Sequence, residues 1–183
     1  SPGESGIGVE KTTEIIAKLH GAMGYAHAHS LDHRDLDSEL VHVQEDGSLK
    51  ILGIGVKSAL GVDLFEEIVS ASVSPLVCDR TPDRLNSFDI MSPEYRSGIE
   101  EDPRVDIHAI GFTGFWLSTG FKPDTAEFKP ATDYLKDLSP VWDPFFKKSL
   151  ERDREKRFQS PKSALLALKE TDKAPQSERR GLI

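Results

Sequence analysis

From Val9 to Ser30, apolar side chains return at every third or fourth position: Ile15, Ile16, Leu19, Met23 and Ala26. That period predicts an amphipathic helix. Gly21 and Gly24 interrupt it, and residues without side chains there predict tight packing against a neighbour. The pattern then changes. Leu40–Gln44 is rich in β-branched residues, Glu45–Ser48 holds an Asp-Gly turn signal, and Leu49–Gly55 is apolar again, which predicts a small hairpin over 40–55. Residues 56–91 show no clean period and contain Pro75 and Pro82; a stretch of that length without an element points to function or regulation.

Further along, Val105, Ile107, Ile110, Phe112, Phe115, Trp116 and Leu117 cover nearly every side of a helix, as in a buried central helix. Asp102 is placed to cap it, Pro103 to begin it and Gly120 to end it. Two Ser-Pro pairs open later helices. Ser139-Pro140 leads to Trp142, Phe145, Phe146 and Leu150, and Ser160-Pro161 leads to Leu165 and Leu168. A shorter helix is expected at about 131–138. The fold class is therefore mainly α with one small β hairpin, between a Gly/Ser/Pro-rich linker (1–8) and a polar tail (171–183).

Composition narrows the function. The 183 residues, 37% hydrophobic, suit one domain with a substantial core. The formal net charge of −8 argues against a nucleic-acid binder, which needs a basic face. No apolar run approaches the roughly 20 residues that span a bilayer, so no membrane contact by this segment is expected. The single cysteine, Cys78, excludes an internal disulfide and is read as a thiol without a role. A cytoplasmic setting follows as an expectation, including the cytoplasmic part of a larger protein.

Five stretches in order, Tyr25–Leu36, Asp46–Gly55, Met91–Tyr95, Asp102–Pro123 and Leu150–Leu168, give the chain a resemblance to the C-terminal lobe of bacterial-type Ser/Thr protein kinases. The resemblance covers residues 9–170. It implies a catalytic-loop region at 31–40, an activation-segment-like stretch at 56–94 and a central helix at 102–120. It also implies structural roles. Glu94 and Arg157 would form an internal ion pair, Asp106 would accept backbone N–H groups of the loop, and His33 would pack beneath it. Arg34 would precede the catalytic aspartate, Asp35.

The chemical positions depart from the family. An active kinase holds its metal ions with the Asp that ends the hairpin and an Asn five positions after the catalytic Asp. Those positions are Gly53 and Leu40 here, and the loop lysine falls on Asp37. Neither glycine nor leucine offers a side-chain oxygen to a hard cation. Losing both ligands is expected to cost on the order of a thousandfold or more in rate. Asp35 is then vestigial, no catalytic residue is expected, and neither a metal nor Mg-ATP is an expected cofactor. Only eight linker-like residues precede the first helix, so the nucleotide-covering lobe is expected to be missing from this chain.

Other candidate chemistry is read as ordinary. His27 and His29 lie two apart on a helix and point to different sides, which favours helix-end roles over a metal cluster. His20, His42 and His108 are scattered and read as ordinary polar or interior residues. Gly53-Ile54-Gly55 lacks the third glycine and the βαβ setting of a dinucleotide loop. Asp35, Asp37 and Glu39 read as a solvated acidic loop. Ser58, Ser70, Ser72, Ser74 and Thr81 lie where the resemblance would place regulatory phosphates docking on Arg34. The expected function is a catalytically inactive, kinase-like binding, scaffold or regulatory module. Its partner would be a protein: a kinase, a flanking domain or a second copy, the last as a homodimer through the surface left bare by the missing lobe. The alternative is a Ser/Thr kinase fragment that uses Asp35 as base once joined to an N-terminal lobe.

Overall fold

A computed structural model describes residues 6–36, 40–61, 64, 67, 87–97, 99, 102–124, 126–136 and 138–173. Asp37 and Glu39 lie outside the described residues, as do Cys78, Ser70, Ser72, Ser74, Thr81 and the tail beyond 173. Helix α1 spans Val9–Ala28, followed by strands β1 (Val41–Val43) and β2 (Leu49–Ile51). Short helices α2 (Val56–Leu60), α3 (Ser87–Ile90) and α4 (Pro93–Arg96) come next. Helices α5 (Arg104–Thr119), α6 (Trp142–Ser149) and α7 (Pro161–Lys173) complete the lobe. β1 and β2 pair antiparallel with Val41 opposite Ile51, and Gly47 takes the left-handed turn position between them at φ 78°. The mainly helical class with one hairpin is the observed fold.

Helix α5 is the central element because it is apolar on all sides. It packs on α1 and α6, while α1 also packs on α7. The Ile15, Ile16, Leu19, Met23 and Ala26 stripe of α1 is buried in the common core. Aromatic rings fill the space between α5 and α6. Phe146 meets Phe115 edge-on at 5.4 Å between centroids and stacks on Trp142, also at 5.4 Å. Gly120 ends α5 in the left-handed conformation, at φ 76°. Asp102 caps its start: its carboxylate accepts from the Arg104 N–H at 2.8 Å and its carbonyl from Val105 N–H at 3.1 Å. Pro103 has helical dihedrals but the regular helix begins one residue later.

Three sequence expectations are corrected. Close packing does not fall at Gly21, where a Cβ would meet nothing within 4 Å, nor at Gly24, where the nearest atom would be 3.8 Å away. It falls on the central helix. A Cβ on Gly111 would lie 2.4 Å from the Ser149 Cβ, and one on Gly114 would lie 2.3 Å from Ile16 Cδ1. The helix expected at 131–138 is a single 3-10 turn at Ala131–Asp133. On α7 the buried positions are Pro161, Ala164 and Leu168, with Leu165 only half-buried. Ser160 caps that helix, its hydroxyl accepting from the Ser163 N–H at 3.1 Å.

Two histidines in the core have no charge partner among the described residues. His20 is fully buried beside Phe145, and neither ring nitrogen has a hydrogen-bond partner among the described residues. His108 is equally buried and, among the described residues, hydrogen-bonds the Ile90 carbonyl through Nδ1 at 3.2 Å. Burial pushes His20 down to about 3, helped by the nearby His27; burial also pushes His108 down to about 3, helped by Arg157.

Two predictions follow from the packing. Gly114→Ala should lower stability by about 1–3 kcal/mol through overpacking, whereas Gly21→Ala should raise it by about 0.5–1 kcal/mol because the methyl enters open space on a helix. Urea denaturation midpoints measure both. The histidines set a pH window. Their folded pKa lies below the unfolded value, so their contribution is complete above about pH 6.5 and is lost as pH falls. Each should cost about 2 kcal/mol by pH 5. His20→Phe should remove one such share from the difference between urea midpoints at pH 7 and pH 5.

Candidate functional site

The loop after α1 is held by one carboxylate. Asp106, fully buried in the first turn of α5, accepts from the His33 N–H at 3.0 Å and the Arg34 N–H at 2.8 Å. The His27 Nε2, from the last turn of α1, completes the set at 2.8 Å. A buried carboxylate needs such donors, since an unpaired one would pay the full desolvation penalty. The backbone at Arg34 is left-handed, at φ 61°, so the chain turns sharply just after these two N–H groups. His33 is buried beneath the loop and donates from Nε2 to the Leu52 carbonyl at 2.7 Å, tying loop to hairpin. That bond places a proton on Nε2.

At the hairpin end, Leu52 N–H donates to the Leu40 carbonyl at 2.9 Å, so residues 40 and 53 sit on neighbouring strand ends. Gly53 takes φ 82°, and a Cβ added there would face the His33 ring at 3.6 Å. Asp35 lines a small cleft with Arg34, Leu36, Met91, Ser92 and Tyr95. Ser92 caps α4, which positions Glu94. Glu94 and Arg157 meet as a buried fork at 2.5 and 2.6 Å. The remaining guanidinium donors reach the carbonyls of Glu151 at 2.6 Å, Arg152 at 3.3 Å and Arg104 at 3.4 Å.

A second cluster escapes the sequence reading. Asp32, almost fully buried, pairs with Arg34 at 2.9 Å, accepts a hydrogen bond from the Ser58 hydroxyl, and gives its carbonyl to the Gly55 N–H at 2.8 Å. Burial opposes ionisation of its carboxyl, but the Ser58 and Arg34 hydrogen bonds and the Arg34 charge outweigh it, holding the pKa below the usual carboxylate value. Lys57 is 1% exposed, with its ammonium 3.8 Å from the Tyr95 ring centroid. Nothing local in the sequence marks these partners, which lie 26 and 38 positions apart. His27, read as an ordinary helix-end residue, also gains a specific role through Asp106.

No family model matches the chain. Sequence relatives include bacterial Ser/Thr protein kinases. The chain is 32% identical over 114 residues to a probable serine/threonine-protein kinase, PknB, of Lactococcus lactis, covering 62% of this chain and 16% of that protein. It is 22% identical over 167 residues to serine/threonine-protein kinase PknB of Mycolicibacterium smegmatis, covering 84% of this chain and 25% of that one. The chain thus matches only a sixth to a quarter of these relatives' length. Among solved structures, the PknI kinase domain of Mycobacterium tuberculosis superposes with a TM-score of 0.65 at 19% identity, covering 92% of this chain and 57% of that domain. The chain therefore has the protein-kinase fold, as its C-terminal lobe.

Kinase chemistry implies divalent metal at the hairpin end, and the residues there do not fit it. Leu40 and Gly53 present no side-chain oxygen. The scaffold is separable from that chemistry and can be tested alone. Glu94→Gln should lower unfolding stability by about 3 kcal/mol or more, because Arg157 is left buried without its counter-charge. Equilibrium denaturation checks this, and the loss should persist at high salt, since a buried pair is poorly screened.

Proposed function

We propose that this chain is a catalytically inactive kinase-like module that acts by binding another protein. The observation that carries the reading is the hairpin end. Backbone bonds there are intact, yet leucine and glycine occupy the positions where kinase chemistry needs metal-binding side chains. The buried supports of the loop, Asp106 and the Glu94–Arg157 fork, belong to the fold and ask nothing of a nucleotide. Asp35 then serves loop geometry rather than proton transfer. A protein partner fits better than nucleic acid, given the net charge of −8. It would be a kinase, a flanking domain or a second copy of this chain, in the cytoplasm. Exposed apolar residues near the loop and hairpin end, Leu31, Leu52 and Val56, offer it a contact surface.

The test is a titration of the full-length protein with ATP, with and without magnesium, read by calorimetry and by thermal melting. No saturable magnesium-dependent heat and no shift in melting are expected, nor any phosphoryl transfer. Micromolar magnesium-dependent binding, or transfer abolished by Asp35→Asn, would replace this reading with that of a working Ser/Thr kinase.

A further inference from the structure

Side chains alternate along a strand, so Val41 and Val43 of β1 share one face of the hairpin with Leu49 and Ile51 of β2. Val41, Leu49 and Ile51 pack against the core, but Val43 stays 49% exposed. The reason is a groove of about 190 Å³ that opens between the hairpin and the first half of α1. Its apolar surface comes from Val43, Leu49 and Ile15. A cavity of roughly 150 Å³ holds a benzene ring, so this one has room for a large apolar side chain. Lys18 joins Glu14 to the Gly47 carbonyl at its side, which ties the hairpin turn to α1. The groove shares no lining residue with the cleft around Asp35. Two further features bear on what fits it. Leu52 N–H donates to the Leu40 carbonyl and Gln44 N–H to the Ser48 carbonyl, so even-numbered residues of β1 turn their backbone groups toward β2. Val43 therefore turns its N–H and carbonyl outward, and no third strand covers them among the described residues. The rim also carries opposite charges: Lys11 lies on α1 and Glu45 on the hairpin, both exposed and neither in an ion pair among the described residues.

We propose that this groove docks an extended peptide segment of a partner protein. The segment adds a strand at the outer edge of β1, pairing with the Val43 N–H and carbonyl. Every second side chain of the segment then faces the groove. The central one is apolar and fills it. Those two positions to either side are one acidic and one basic, and they meet Lys11 and Glu45. The surface is distinct from the loop face at Leu31, Leu52 and Val56, and the docking works whether or not Asp35 supports chemistry.

Titration of the full chain with the capped peptide Lys-Val-Leu-Val-Glu, followed by the chain's amide NMR signals, tests it. Saturable shifts are expected at Ile15, Val43 and Gln44, with Arg34 and Gly53 unmoved. Replacing the central Leu of the peptide by Ser should weaken binding on the order of tenfold. Lys11→Ser and Glu45→Ser should each weaken it about threefold. Val43→Pro removes an N–H that β2 does not use, so it should abolish binding while the signals of α1 and α5 stay native, which separates lost docking from lost folding. The proposal is overturned if peptide at about 1 mM, the weak end of specific affinity, moves none of the three groove amides. It is equally overturned if the Ser-containing peptide binds as tightly as the parent, or if a folded Val43→Pro chain binds unchanged. Either failure leaves the outcome of the ATP titration untouched.

Discussion

A carboxylate sealed inside an apolar helix has to be satisfied locally, and Asp106 meets that demand with two successive backbone N–H groups and one imidazole. The requirement works in both directions. The loop must present the successive amides of His33 and Arg34 to Asp106, and α1 must end where His27 can reach it. One charge therefore sets the relative position of α1, the loop and α5. The hairpin follows, because His33, pinned through its own N–H, carries its ring to the Leu52 carbonyl.

This chain of contacts runs through backbone groups and buried side chains. It does not pass through the side chains at 40 and 53. Leu40 and Leu52 are joined by main-chain atoms, and Gly53 contributes only its conformation. The geometry of loop and hairpin therefore rests on backbone bonds and buried polar groups, and a well-formed loop around Asp35 says little by itself about catalysis.

The elements with strong periods were legible in the sequence. The α1 stripe, the all-apolar α5 and the Asp-Gly turn of the hairpin each rest on local patterning, and local patterning survives folding. What depended on neighbours was not legible. Glycine signals freedom to approach closely but not which neighbour arrives, so Gly21 and Gly24 drew an expectation that belongs to Gly111 and Gly114. The 131–138 stretch has the apolar residues of a helix, yet forms one 3-10 turn. Composition cannot tell a buried histidine from an exposed one, so the sequence leaves His20 and His108 as polar or interior residues alike, and the structure places both inside. Within the site, motif order located residues 40 and 53, but Asp32, Lys57 and Ser58 are brought together only by the turn after the hairpin. Asp37 lies outside the described residues.

Arg157 uses both arms of its fork on Glu94 and its remaining donors on carbonyls from residues 104, 151 and 152. Three stretches far apart along the chain thus converge on a single guanidinium. Lysine, with a compact ammonium, could not serve five such acceptors at once. A boundary drawn anywhere before that arginine, whether by gene fusion, splicing or a protease, would strand the glutamate in the interior. The lobe is in this sense indivisible from Glu94 onward: a shorter version would not be a smaller module but an incomplete one.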